Sequence, residues 1–311
     1  MIFFDKEYVE QRLDAKTCTE LMDEALRAER SGDSVQYLRT AIELPNTNVL
    51  GVMPGYYSKG YFGAKIISVY HTNAGTGYPS HQGQILLFGA EHGEVLCCVD
   101  AMSVTRIRTG AVSAAVSRAL AYPGSSRLAI LGCGAQGHSH FEALSEVFRL
   151  SEVRCWDAFP ACAASLAERV RGREISALVC QSAEEAVRDA DIICTLTPSK
   201  EPILRSEWVK DGAHINAVGA CAPSARELDS DLMARARIFC DNEESVFHES
   251  GDLIIPIAEG RYGKDHLEGT VGDVLLGKIQ GRRSADEVTV FDALGMAVED
   301  IACAIYLYEN A

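Results

Sequence analysis

Three basic residues stand in apolar company, where an uncompensated charge is expensive. Lys65 lies in "FGAKIISV", a run of otherwise apolar or small side chains, and an ammonium buried there needs an anion beside it. A lysine facing water from an edge strand is the plainer alternative. Arg39 in "QYLRTAI" and Arg108 in "TRIRTGAV" repeat the pattern. Cations of this kind converging on one cleft suit a small carboxylate, which a guanidinium grips through two parallel hydrogen bonds.

A second constellation is "LAILGCGAQGHSH", with Gly132, Gly134 and Gly137 directly after an apolar run and at the start of a helical one. In that context Gly132 permits a tight turn, Gly134 lets the backbone approach a pyrophosphate, and Gly137 lets strand and helix pack closely. The helix N-terminus adds partial positive charge. Asp157 ends the next strand, where a carboxylate accepts from the adenosine ribose hydroxyls and repels a 2′-phosphate. The pattern predicts a nicotinamide dinucleotide, NAD(H) in preference to NADP(H). His138 and His140 follow the turn, but an i, i+2 pair points to different faces of a helix, so no metal site is predicted.

The elements that must position these residues change character along the chain. After an amphipathic helix over about 17–30, residues 36–100 carry short β-type runs separated by loops too brief for crossover helices, which predicts antiparallel strands. A helix over 103–121 follows. From 127 the rhythm is strand, helix, strand, with short apolar runs that read as buried on both faces, hence a parallel sheet covered by helices. A last helix is read over "FDALGMAVEDIACAIYLYEN", packing back on the N-terminal region. The expected fold is α/β: a Rossmann-type doubly wound parallel sheet, plus a discontinuous α+β domain with an antiparallel sheet. The expected boundaries are 1–115 with 290–311 for substrate binding and dimerisation, and 116–289 for the dinucleotide.

The chain has 29 Lys and Arg against 44 Asp and Glu, a formal charge of −15. This balance argues against nucleic acid or an anionic membrane as partner, and no apolar stretch approaches the roughly 20 residues of a membrane span. Eleven scattered cysteines without a CxxC pair read as reduced core residues. With no signal peptide legible at the N-terminus, a cytoplasmic location is expected.

The runs "PSHQG", "VTRIRTGAVSAA", "ILGCGAQ", "AHINAVGA", "RELD" and "TVFDALGMAVED" occur in order across the chain. Together they resemble the ornithine cyclodeaminase and mu-crystallin family. "LGVMPGYYS", "EPILRSEWVKDGAHINAVGA" and "ESGD" are most similar to its mu-crystallin branch, whose members reduce ketimines. The resemblance implies a homodimer joined through the N-terminal sheets. It places substrate-carboxylate contacts on Arg39, Lys65 and Arg108. Dinucleotide contacts fall on Ser80, Arg108, Thr109, Ala135, Gln136, Asp157, Thr197 and the run Ile215, Asn216, Ala217 and Val218, with Ala293 and Leu294 near nicotinamide and substrate.

Two departures from the cyclodeaminase pattern bear on the reaction. Cys221 stands where those enzymes present a proton-shuttling aspartate, and Gly51 where they place a glutamate. A thiol, mostly neutral with a reference pKa of about 8.5, does not replace a carboxylate. Cyclodeamination needs repeated proton shuttling. Reduction of a preformed cyclic imine needs a hydride on carbon and one proton on nitrogen. The expected activity is therefore reduction of a cyclic ketimine carboxylate by a nicotinamide cofactor, with Lys65 and Arg108 as the catalytic pair. An alanine-type dehydrogenase, a cyclodeaminase and a non-catalytic, crystallin-like ligand binder are the alternatives. His81 in "YPSHQG" is a second proton candidate or a structural histidine, and Cys221 lines the substrate pocket.

Overall fold

Alternation of inward apolar and outward side chains makes most of residues 34–100 a sheet. The computed structural model describes residues 1–73 and 75–311. It divides into two units, residues 1–109 with 295–311 and residues 110–294.

The first unit opens with strand β1 (Ile2–Phe4) and helices α1 (Lys6–Arg12) and α2 (Ala15–Ser31), capped by Asp5 and Asp14, whose carboxylates accept from Tyr8 and Thr17 N–H. Strands β2 (Ser34–Gln36), β3 (Thr40–Leu44), β4 (Asn48–Tyr57), β5 (Tyr61–Val69), β6 (His81–Gly89) and β7 (Val95–Asp100) follow. The sheet order is β1-β7-β6-β5-β4-β2, with β3 also pairing β4. Its central pairs are antiparallel, as the short loops require. The edge strand β1, which lies outside the run 36–100 expected to be antiparallel, pairs parallel with β7; two helices rather than a tight turn separate it from the strands that follow. One face buries Met53, Ile85, Leu87 and Val99. The other presents Tyr56, Phe62, Ile66, Leu86 and Phe88; Phe62 and Phe88 are cross-strand partners with rings stacked at 4.9 Å, and Tyr56 and Ile66 are exposed.

Helix α3 (Ala101–Leu120) leads from the first unit into the second. There β8 (Arg127–Leu131), α4 (Ala135–Val147), β9 (Glu152–Trp156), α5 (Pro160–Arg171), β10 (Ser176–Val179), α6 (Ala183–Val187), β11 (Ile192–Thr195) and β12 (His214–Ala217) alternate. Helix α7 (Ser230–Arg235), β13 (Arg237–Cys240), α8 (Glu243–Glu249), α9 (Gly251–Ala258), β14 (Leu267–Thr270), α10 (Val271–Leu275) and β15 (Thr289–Asp292) complete the unit. All eight strands are parallel, in the order β10-β9-β8-β11-β12-β15-β13-β14. The order reverses at β8 and β11, so their C-terminal ends form the switch point where such sheets bind ligands. β11, β12 and β15 are buried along their whole lengths, as strands of a sheet covered on both faces are, and they enclose the polar side chains of His214, Asn216, Thr289 and Asp292.

The expected last helix is shorter than read. Thr289–Asp292 is a central strand between β12 and β13, and helix α11 spans Ala297–Glu309. A brief apolar run does not separate a buried strand from a helix start by periodicity; Gly295, at φ +80°, breaks the two apart. In the first unit α11 packs on the buried face of the sheet with α2. Gly55 and Gly63 face each other across β4 and β5. A Cβ on Gly55 would lie 3.0 Å from Ile301 Cδ1, and one on Gly63 would lie 3.5 Å from Ile301 Cγ1. The paired glycines thus let α11 approach closely. All eleven cysteines are free. Among the described residues no helix is long and apolar enough to cross a membrane.

Candidate active site

Lys65 points from β5 to the buried face, and α11 delivers its counter-ion. Its side chain is 3% exposed, with Nζ 2.6 Å from Asp300 Oδ2. Arg108, on α3, donates from Nη1 to Glu299 Oε2 at 2.7 Å and places Nε 3.4 Å from Asp300 Oδ1. Glu299 and Asp300 are fully buried in the first turn of α11, where the helix dipole also favours anions. Gly295 completes the arrangement: a Cβ there would stand 2.7 Å from Arg108 Nη1. Burial lowers the Lys65 pKa first of all, Asp300 pulls it back up, and the Arg108 charge lowers it again. The result is two cations and two carboxylates in a desolvated cluster, with an amine that can hold or give up a proton.

Of the other basic and polar candidates in this unit, Arg39 is half-buried on the segment 37–39 between β2 and β3, outside the strand expected for it. His81 opens β6 and is exposed, with Nδ1 2.9 Å from Ser80 Oγ. Thr109 is nearly buried and donates to the Thr105 carbonyl at 2.7 Å.

In the second unit the glycine turn has the steric logic that its spacing predicts. Gly132 has φ +98°, and a Cβ would meet the Leu196 backbone at 2.8 Å and Thr197 Cγ2 at 2.9 Å. A Cβ on Gly137 would meet the Gly132 carbonyl at 2.7 Å. Gly134 is different: nothing lies within 4 Å of a Cβ there, so the protein does not itself demand a glycine, and the open space at the N-terminus of α4 admits a ligand group. Ala135 is exposed and Gln136 half-buried beside it. Asp157 Oδ2 accepts from Cys133 N–H at 2.7 Å and Oδ1 from Phe159 N–H at 2.8 Å. Each oxygen keeps further acceptor capacity, so one carboxylate both braces the turn and remains able to take ribose hydroxyls. These residues fit a dinucleotide.

The remaining candidates cluster unevenly at the strand ends. Val218 is half-buried beyond β12, whereas the Ile215 and Asn216 side chains are fully enclosed, with Asn216 Nδ2 donating to Ser117 Oγ at 3.0 Å. Ala217, Ala293 and Leu294 are nearly buried, and Leu294 N–H donates to Asp241 Oδ2 at 2.8 Å. Cys221 is exposed, with Sγ 3.4 Å from the Val218 carbonyl. His140 is a core residue held by Ser113 Oγ and the Gln136 carbonyl, its pKa lowered to about 4 by burial.

The profile described as "Ornithine cyclodeaminase/mu-crystallin family" matches residues 2–311. The chain belongs to this family. It is similar to the ketimine reductase mu-crystallin of Mus musculus, 40% identical over 90% of this chain and 86% of that protein. Its fold matches the Thermococcus litoralis Δ1-pyrroline-2-carboxylate reductase solved with NADH and L-proline, at TM-score 0.96 and 31% identity, covering 100% of this chain and 97% of that one. An archaeal alanine dehydrogenase dimer with bound NAD matches at TM-score 0.96 and 33% identity, covering 100% and 96%.

Within the family motifs, four acidic residues were not singled out by sequence reasoning. Glu299 and Asp300 lie inside "AVED", where the unpaired cost of a buried Lys65 was the available signal: its anion had to come from somewhere. Glu227 in "RELD" and Asp252 in "ESGD" are also buried. Both Glu227 and Leu228 donate their N–H groups to Asp252 Oδ1 at 2.8 Å.

Proposed function

We propose that this chain reduces a cyclic ketimine carboxylate, of the 1-pyrroline-2-carboxylate or 1-piperideine-2-carboxylate type, to the cyclic amino acid. The observation that carries the reading is the buried Lys65 and Arg108 pair, kept charged by Asp300 and Glu299. A nicotinamide cofactor, when bound, supplies the hydride that the C=N carbon receives. Arg108 holds the substrate carboxylate, with Arg39 as a further contact. Lys65, its pKa depressed by burial, holds a proton at Nζ that it donates to the imine nitrogen, so that hydride addition to the resulting iminium leaves a neutral amine. The first unit serves as substrate and dimerisation domain and the second as dinucleotide domain. The Asp157 carboxylate favours NADH over NADPH because it repels a 2′-phosphate.

The likeness to an archaeal alanine dehydrogenase supports a second reading, interconversion of an open-chain amino acid and its oxo acid. That reaction must add or expel water and ammonia, and the thiol of Cys221 stands where a carboxylate would assist. A homodimer is part of the proposal: the outward face carrying Phe62, Ile66, Leu86 and Phe88 is apolar enough to need a partner, and the archaeal relative is a dimer. The test is a panel of both cyclic imines and of pyruvate with ammonium, each with NADH and NADPH. Turnover of the cyclic imines with NADH supports the first reading. Turnover of pyruvate with ammonium alone installs the second, and NADH binding without any turnover would leave only a ligand-binding protein.

A further inference from the structure

The loop after β11 and the loop after β12 are tied to one buried side chain. Glu227 Oε1 accepts from Thr197 N–H at 2.7 Å and from Thr197 Oγ1–H at 2.6 Å. Its Oε2 accepts from Gly219 N–H at 2.9 Å, a donor that also reaches the Thr195 carbonyl at 3.2 Å. The glutamate is fully buried, and its own backbone is fixed: its N–H goes to Asp252 and its carbonyl accepts from Ile203 and Leu204 N–H. Thr197 in turn packs against Gly132, leaving no room for a Cβ there. A Cβ on Gly219 would collide with the Thr197 carbonyl.

We infer that Glu227 is a positioning residue for the dinucleotide: its carboxylate sets the mutual placement of the Thr197 loop, the Gly219 loop and the Gly132 turn. The inference rests on the proposed nicotinamide-dependent activity and adds to it a residue that touches neither cofactor nor substrate. Three donors converge on two oxygens, so the ionised carboxylate is the form that fits. A protonated acid, or an amide, turns one oxygen site into a donor that faces another donor. Burial raises the Glu227 pKa to about 7, against the lowering effect of the Thr197 and Gly219 hydrogen bonds. The acidic groups facing it are Asp252, also raised by burial, and through Asp252 the buried Asp292.

The experiment compares NADH binding by the full-length wild type and Glu227→Gln, using nicotinamide fluorescence from about pH 6 to about pH 9, with thermal unfolding as the folding control. In the wild type, NADH affinity should weaken several-fold as pH falls through neutrality. In Glu227→Gln the NADH Kd should rise about tenfold at pH 8 and lose that pH dependence, while turnover at saturating NADH changes less than KM for NADH does. A merely structural glutamate would lower the unfolding temperature yet leave Kd and its pH profile in the folded fraction as in wild type, and that result overturns the inference. If the amide variant does not fold, the wild-type profile decides: a flat response from pH 6 to pH 9 overturns it. Wild type that binds no NADH at any pH would instead sink the proposed activity, and this inference with it.

Discussion

Replacing Asp300 with Asn tests whether a carboxylate keeps Lys65 charged in the core. The side chains are nearly isosteric, so packing is retained, but the anion 2.6 Å from Nζ is lost. At an effective dielectric of about 20, such a contact is worth about 6 kcal/mol of attraction, and breaking buried pairs of this kind costs roughly 3–5 kcal/mol. An upper limit comes from the lysine itself, which can surrender its proton. From the reference pKa of about 10.4 down to pH 7, neutralising it costs about 5 kcal/mol, falling to about 2 kcal/mol near pH 9. Burial already lowers the Lys65 pKa, and loss of Asp300 lowers it further. Between that lowered value and the unfolded one the unfolded state binds more protons, so this lysine's contribution makes stability rise with pH. Urea unfolding followed by circular dichroism should therefore show Asp300→Asn destabilised by about 3–5 kcal/mol at pH 7, and by distinctly less near pH 9. The double variant Lys65→Met with Asp300→Leu should recover most of the loss. A deficit below about 1 kcal/mol at pH 7, or one that is the same near pH 9, would refute the account of a charged lysine held by this one acid.

Three further outcomes are expected. Gly295→Ala, which sets a methyl 2.7 Å from Arg108 Nη1 at a φ of +80°, should raise KM for the imine carboxylate at least about tenfold while leaving the NADH Kd within about twofold; steady-state kinetics with both measured checks it. Asp157→Ser should narrow the NADH over NADPH preference, and because it also removes the acceptor for Cys133 N–H, it should weaken NADH binding itself. An unchanged preference would mean that the acid is not the selector. Asp292 is raised to about 7 by burial, so the folded state binds more protons than the unfolded one between about pH 4 and pH 7, and its contribution to stability falls as pH rises through that window. The slope of the urea midpoint between pH 5 and pH 7 should shift in the positive direction in Asp292→Asn, the midpoint falling less or rising more with pH than in wild type.

Much of this architecture is written in local pattern. The strand, glycine turn and helix at 127–147 follow from apolar run, Gly spacing and helix start, and the short loops between β4, β5 and β6 leave antiparallel pairing as the natural outcome. The neighbours of Lys65 pointed to its burial but left an edge-strand lysine facing water as the alternative, which its 3% exposure removes. Its partner could not be read in this way, because Asp300 lies far along the chain and "AVED" looks like an ordinary acidic first turn of a helix. Strand β15 was hidden for a similar reason: "TVFD" is too short to show a period of its own before the helix that follows, and only tertiary pairing with β12 and β13 makes it a strand. Glu227 offered no sequence signal beyond its motif, since a glutamate directly after an arginine and two residues before an aspartate usually faces water. Its role exists only once the ends of β11 and β12 are adjacent.

The late position of α11 has a consequence for biosynthesis. β5, carrying Lys65, leaves the ribosome early, but Glu299 and Asp300 follow only after the whole parallel-sheet unit has been made. Until then α11 supplies neither a carboxylate for Lys65, whose ammonium stays with water, nor a cover for the paired glycines of β4 and β5. Translation order therefore obliges the second unit to be complete before the first can close.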